Sequence, residues 1–449
     1  MVLTEQLRDI VGGEHVSTDT DVLAARSVDW TGRYRGRAGV LVRPRDCVQV
    51  AEVVKACRAA GMPITVQGGR TSLVAGTVPE YGDVLLSTER LRELGEVDVV
   101  ERQLRAGAGV TLADVQRAAA GAGLSFGVDL AARDSATVGG MAATNAGGLH
   151  TVRYGSMVEQ IAGLEVVLPD GSVVRRRSRV RSDNTGYDLI ALFTGAEGTL
   201  GIITAVDLRL RPPPRHRATA LCGFTDLGAL VSTGRALRDT ATINALELID
   251  GRIAALAGPA PVPGDWLLLV ELAGDTDQTG PLADALADAL AERCDQPAVA
   301  VDAGARKRLW QTRESITDVI GASAAAGAPP LKFDVALPLS EIAAFADDAD
   351  RLLAGLAPDS VRLLFGHIGE GNLHLNVLRC AAAAEAQVYP AMMDLIAAHG
   401  GNVSSEHGVG SRKRAYLSMS REPADIDVMR TVKAALDPQR LLNPAVLFD

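Results

Sequence analysis

Three short glycine-crowded segments, all in the first half of the chain, limit its fold more than any other feature. They read Gln67-Gly68-Gly69-Arg70-Thr71-Ser72-Leu73, then Asp134 to Gly148 with paired glycines at 139–140 and 147–148, then Gly195-Ala196-Glu197-Gly198-Thr199-Leu200-Gly201-Ile202-Ile203-Thr204. Paired glycines remove the Cβ atoms that hold backbone N–H groups apart, so such segments let amides converge on anionic oxygens. Interleaved Thr and Ser residues add hydroxyl donors, and a pyrophosphate needs a surface of that kind. One such segment reads equally well as a turn; three in one domain favour a binding surface. The chain has no strand–GxGxxG–helix and no GxxxxGK[ST], so a dinucleotide here is not bound in the Rossmann or P-loop manner.

The pattern around these segments is strand and helix in alternation. Residues 1–43 read as a polar lead with a weak helical pattern. Asp46 caps an amphipathic run over 48–60, stopped by Gly61 and Pro63. A strand over 64–66 opens into the first glycine segment, and 84–87 and 104–106 read as further strands. Thr111 and Asp114 form a capping box for a helix reaching about residue 120. Residues 166–174 read as a hairpin around Pro169-Asp170-Gly171, and 201–210 as an alternating strand. Pro212-Pro213-Pro214 then favours a stiff extended connection, and the main boundary is placed there. Beyond it, strands fit near 218–224, 243–249, 266–273, 297–302, 331–337, 361–366 and 373–379. Helices fit near 226–239, 280–293, 305–325, 340–355, 382–399 and 423–436. Paired strands with helices packed on one side suggest an open α+β sheet.

Composition narrows the function classes. The 449 residues suffice for two or three domains, and 47% hydrophobic with 22% charged residues suits a folded α/β-type protein. A formal charge of −10 argues against a nucleic-acid scaffold or an anionic-membrane binder. The basic runs Arg175-Arg176-Arg177 and Arg412-Lys413-Arg414 read as solvated surface. Cys47, Cys57, Cys222, Cys294 and Cys380 are scattered, with no CxxC, so neither a disulfide framework nor a cysteine zinc site is expected. Without a signal core or an 18-residue apolar window, a reduced, cytoplasmic protein with no transmembrane segment is expected.

The second half concentrates histidine. Phe365-Gly366-His367-Ile368-Gly369-Glu370-Gly371-Asn372-Leu373-His374-Leu375-Asn376 is followed by Ser404-Ser405-Glu406-His407-Gly408-Val409-Gly410. A strand ending near His367, a glycine turn and a strand carrying His374 bring both imidazoles to one sheet edge. His374 and Asn376, two apart, share a face. Two histidines and a carboxylate suit a catalytic divalent metal: zinc first, with manganese, cobalt or iron as alternatives. The bland alternative is a set of hydrogen-bonded core histidines. Spacing does not decide whether Glu370 or Glu406 is the ligand.

Taken together, the glycine segments resemble the FAD-binding domain of the vanillyl-alcohol oxidase and p-cresol methylhydroxylase superfamily. The resemblance implies an α+β fold: two subdomains cradling an extended FAD over residues 1–213, and an α+β substrate (cap) domain with an open antiparallel sheet over 214–440. A tail over 441–449 would return to the FAD domain. It implies that Gly68, Gly69, Arg70, Thr71, Ser72 and Leu73 hold the pyrophosphate. Ser135, Thr137, Gly140, Thr144, Asn145 and Gly147 would line the cofactor, and Glu197, Gly198, Ile202 and Ile203 would approach it. Some relatives tether FAD to a histidine in the first loop; here Arg70 stands after the two glycines, so FAD is expected to be non-covalent. The only nearby histidine, His150, follows the second segment.

The second half resembles the metal-containing, FAD-dependent D-2-hydroxyacid dehydrogenases. That resemblance implies His367, His374 and Glu406 as metal ligands and His407 as the catalytic base. Arg313 and Thr317, four apart on an expected helix, and Lys332 on a strand resemble the substrate clamp of the D-2-hydroxyglutarate dehydrogenase branch; Asn376 is read as a further substrate contact. The implied substrates rank D-2-hydroxyglutarate, then D-malate, then D-lactate or glycolate. Electrons would leave through an acceptor such as electron-transfer flavoprotein or a quinone, and a homodimer is an assembly open to the chain. Two rival readings are a partner FAD subunit of a larger oxidoreductase complex, such as a glycolate oxidase, and a metal hydrolase that merely contains glycine loops.

Overall fold

Local caps set the helices where the sequence places them. Asp46 Oδ1 accepts the Gln49 N–H at 2.8 Å, opening the helix Cys47–Ala59. Thr111 and Asp226 cap Leu112–Gly121 and Leu227–Arg238 in the same way. The computed structural model describes residues 2–177, 180, 183–239, 242–258, 261–290, 297–325 and 329–448. Cys294 and the end of the expected 280–293 helix lie outside them.

The chain divides into two units. The first comprises Met1–Gly147, Gly155–Pro213 and Glu406–Asp449, so the chain returns to it well before residue 441. Its first sheet holds β1 (Val16–Ser17), β2 (Val40–Val42), β3 (Ile64–Gln67) and β4 (Val84–Ser87), in the order β1-β2-β4-β3. β2, β4 and β3 run parallel, and their residues are almost all buried, as a sheet covered on both faces requires. Its second sheet holds β5 (Gln103–Gly107), β6 (Ser125–Phe126), β7 (Ile161–Val167), β8 (Val173–Arg176) and β9 (Ile202–Arg211), antiparallel, with β9 between β5 and β7. The expected hairpin is β7–β8, and its turn is fixed by Asp170 Oδ1 accepting the Ser172 N–H at 2.8 Å. The C-terminal segment adds to the first sheet: Ile64 N–H donates to Leu441 O at 2.7 Å, and Asn443 Oδ1 accepts the Val66 N–H at 2.8 Å.

The N-terminal lead is more structured than its sequence suggests. Val2–Val11 is a helix, and Leu7 and Val11, four apart, are buried in one cluster with Val50, Val53 and Val54 of Cys47–Ala59. The helix is only ten residues long, and its packing on a neighbouring helix makes it a core element.

The second unit comprises Gly148–Tyr154 and Pro214–Ser405. One antiparallel sheet organises it: β10 (His216–Phe224), β11 (Ile243–Asp250), β12 (Trp266–Gly274), β13 (Ala298–Ala300), β14 (Leu331–Ala336), β15 (Val361–His367) and β16 (Asn372–Leu378). The order is β13-β10-β12-β11-β15-β16-β14. Helices cover both faces, not one. On one side Phe333 stacks on Tyr389 of the helix Ala382–Ala398, with ring centroids 4.8 Å apart. On the other, Ile249, Leu363 and Phe365 pack with Leu309, Ile316 and Ile320. The expected 305–325 helix is two helices, Ala303–Glu314 and Ile316–Ala325, broken at Ser315.

Candidate active site

In the first unit, the first two glycine segments lie against one another. A Cβ on Gly69 would sit 1.9 Å from Ser135 O, and one on Gly68 would sit 2.6 Å from Thr137 Oγ1. Backbone leaves no room for a side chain at Gly69, and at Gly68 the Thr137 hydroxyl would have to swing away. Arg70 follows at φ 57°, turning the chain sharply at the end of β3, and its guanidinium donates to Ala25 O at 3.1 Å. Thr71, Ser72 and Leu73 are half-buried, whereas Ser135 is exposed. Thr137 precedes the helix Val138–Thr144, and its hydroxyl is buried without a hydrogen-bond partner. A buried hydroxyl left open beside a turn stripped of Cβ atoms fits a pyrophosphate-bearing cofactor such as FAD.

Other expected cofactor residues have structural partners. Thr144 Oγ1 donates to Gly140 O, and Asn145, at φ 51°, closes the helix and accepts the Val158 N–H at 2.9 Å. Gly147 is buried. Ile202 and Ile203 begin β9 and point into separate apolar cores. A Cβ on Gly198 would meet Asn443 Nδ2 at 2.7 Å, so this glycine allows close approach of the C-terminal segment. The Glu197 carboxylate is buried and accepts the N–H groups of Val409 and Gly410, both at 2.8 Å. Glu197 thus holds the loop that begins with Glu406 and His407. Burial pushes its pKa upward, against the pull of those two N–H groups and Lys413.

In the second unit, strand register does the assembling. Directly paired residues of a sheet project from the same face. Glu247 pairs with His367, which pairs with Asn372; Phe365 pairs with His374, which pairs with Asp334; Leu363 pairs with Asn376, which pairs with Lys332. Glu247, His367, His374, Asp334, Asn376 and Lys332 therefore share one face. The intervening Leu248, Leu364, Leu373, Leu375, Phe333 and Val335 form the opposite, apolar face.

The two imidazoles stand edge to face, centroids 5.5 Å apart. His367 Nδ1 is 2.5 Å from Glu247 Oε1, and Glu247 Oε2 accepts the Arg313 Nε–H at 2.6 Å. Glu247 is fully buried; burial alone would raise its pKa, but His367 and Arg313 overcome that and hold it below the ordinary carboxylate value. His374 Nδ1 lies 3.6 Å from Asp334 Oδ1, while Asp334 Oδ2 accepts the Ser405 N–H at 2.9 Å. Glu406 and His407 follow Ser405 directly in the chain, and His407 Nε2 is 3.7 Å from Glu406 Oε1. Glu370 is exposed on the turn Ile368–Glu370.

Lys332 is half-buried, and burial pushes its ammonium pKa downward. Asn376 is buried beside it in register. Arg313 is buried, whereas Thr317 is exposed, because the helix break at Ser315 ends the spacing that would align them. His150 Nδ1 lies 3.1 Å from Asn244 O, both in the second unit. Sequence reasoning assigned no role to Glu247 and Asp334. Their signal was an acid inside an apolar strand, which demands a buried partner without saying which.

Comparison with known proteins agrees with this architecture. Residues 38–177 match the family described as FAD binding domain, and 213–447 match FAD linked oxidases, C-terminal domain. The chain is 32% identical to a D-2-hydroxyglutarate dehydrogenase of Stutzerimonas stutzeri, over 99% of this chain and 98% of that protein. It is 34% identical to the mitochondrial D-2-hydroxyglutarate dehydrogenase of Bos taurus, over 98% of this chain and 82% of that protein. Among solved structures, p-cresol methylhydroxylase with substrate bound matches at a TM-score of 0.80, with 19% identity over 99% of this chain and 96% of that one. That likeness carries the fold: the p-cresol methylhydroxylase type. The chain belongs to the FAD-linked oxidase family and is an FAD-dependent oxidoreductase.

Proposed function

We propose that this protein is an FAD- and divalent-metal-dependent dehydrogenase that oxidises a D-2-hydroxy acid, D-2-hydroxyglutarate first, to the 2-oxo acid. The observation that carries the reading is the single sheet face presenting His367, His374, Asn376 and Lys332 together, with buried carboxylates behind both histidines. The full-length likeness to D-2-hydroxyglutarate dehydrogenases supports the substrate class.

His367, His374 and Glu406 are the residues that would hold the metal, zinc by donor type. Glu406 is favoured over Glu370 because the loop before it is anchored on Asp334, whereas Glu370 is exposed. When bound, the metal would supply acidification of a hydroxyl and the flavin would supply a hydride acceptor. The chain's part is to bind, orient and move one proton. His407 takes the hydroxyl proton of the substrate. Lys332, poorly solvated, meets a carboxylate of the substrate, and Asn376 beside it supplies an amide. Arg313 keeps its terminal N–H groups for the same carboxylate while its Nε–H is bonded to Glu247. A role for Thr317 rests on the resemblance alone.

The test is anaerobic. D- and L-forms of 2-hydroxyglutarate, malate and lactate are added separately to the FAD-loaded protein while the flavin band is recorded. D-2-hydroxyglutarate is expected to bleach it, a chelator to abolish the bleaching and zinc to restore it. His407→Ala should retain the flavin and lose the bleaching. A flavin band that no D-2-hydroxy acid bleaches overturns the reading.

A further inference from the structure

Glu247 is a buried charge that the proposed chemistry does not use. It lies in the middle of β11, every residue of which is buried, and its own exposure is 0%. Its two carboxylate oxygens have different partners: Oε1 faces His367 Nδ1 at 2.5 Å, and Oε2 accepts the Arg313 Nε–H at 2.6 Å. The Arg313 guanidinium also lies over the ring of Phe365, its carbon 4.9 Å from the ring centroid. One carboxylate thus joins a candidate metal ligand to a candidate substrate-binding arginine.

Geometry gives this bridge a direction. An ionised carboxylate only accepts, so the imidazole nitrogen facing it, Nδ1, carries a proton, and Nε2 is the nitrogen left for a metal. A metal-ligating histidine is ordinarily oriented by such a partner on its other nitrogen. The neighbouring pair is built differently: Asp334 stands 3.6 Å from His374 Nδ1, and its other oxygen holds a backbone N–H. Two further buried carboxylates of this sheet have other polar partners. Glu271 joins Arg217, Thr219, Asn244 and Trp310, and Asp250 joins Arg252 and Arg362.

We propose that Glu247 is a positioning residue that fixes His367 in the Nδ1-protonated tautomer, with Nε2 as its metal-binding atom, and holds Arg313 in register with it. The inference rests on the metal reading above. Glu247→Gln is the informative variant because it keeps the shape. Its amide N–H₂ must face either His367, which forces the wrong tautomer, or Arg313, where two donors collide.

The experiment uses the FAD-loaded full chain with zinc, in competition with a chromophoric chelator. Glu247→Gln is expected to weaken zinc binding about 10–100-fold with FAD content unchanged. In zinc-free wild type, ¹⁵N histidine NMR, with the His367 signals assigned by their loss in His367→Gln, should show a proton on Nδ1. That measurement does not depend on the Glu247 variant folding. Equal zinc affinity in wild type and Glu247→Gln, or a wild-type His367 with no proton on Nδ1, overturns the inference alone. Wild type that takes up no zinc overturns the metal reading and the inference with it.

Discussion

Replacing Arg313 with methionine separates a purely substrate-binding arginine from one that also holds the sheet together. Glu247 is 0% exposed and Arg313 8%. Methionine keeps most of the aliphatic stem but leaves one oxygen of a buried carboxylate without its cation. Breaking a buried pair from one side costs about 3–5 kcal/mol, because the surviving charge is uncompensated. His367 still serves the other oxygen, which places the expected loss near the low end, about 3 kcal/mol. The lost contact with Phe365 adds about 1 kcal/mol. Thr317→Ala, at an exposed position, should stay within about 0.5 kcal/mol of wild type. The assay is urea unfolding of the FAD-loaded chain followed by tryptophan fluorescence, since two of the three tryptophans, Trp266 and Trp310, lie in the second unit. Adding Glu247→Gln to Arg313→Met should destabilise by less than the sum of the two single changes, because the stranded charge is gone. An Arg313→Met protein as stable as Thr317→Ala would refute the argument.

Gly69→Ala places a methyl 1.9 Å from Ser135 O, so the first glycine segment must shift; about 2 kcal/mol, or about thirtyfold in FAD affinity, is expected from flavin release on dilution. Unchanged retention would show that this turn does not contact the cofactor. Glu197→Ala removes the acceptor of the Val409 and Gly410 N–H groups, at about 1–3 kcal/mol for each stranded donor, and hydrogen exchange at those two amides should accelerate. Exchange at the wild-type rate would mean the loop is held by something else. Glu165, Glu247 and Glu271 are all buried, which raises their pKa values, yet hydrogen bonds and nearby cations hold them below the ordinary 4.5. The stability they contribute is therefore fully present above that value and lost as pH falls through their lower folded values, so the melting temperature should drop between about pH 5 and pH 3. A constant melting temperature over that range would contradict it.

Neighbouring residues determined much of this protein on their own. Asp46, Thr111 and Asp226 cap helices because a short oxygen-bearing side chain can reach the free N–H groups of the first turn without help from the rest of the chain. The β7–β8 hairpin follows from Asp170 and Gly171, and the shared face of His374 and Asn376 from the two-residue period of a strand. Gly68 and Gly69 announced a close approach, and the structure supplies the carbonyl and hydroxyl they approach. Tertiary structure decided what depends on residues far apart in sequence. Val2–Val11 becomes a core helix only because Cys47–Ala59 offers it an apolar stripe. Arg313 and Thr317 part company at Ser315, where burial of one and exposure of the other override their spacing. Glu247 meets His367 across 120 residues and Arg313 across 66. An acid in an apolar strand declares that it must find a partner, since an unpaired buried charge is too costly to keep; the pairing of strands then selects which partner it is.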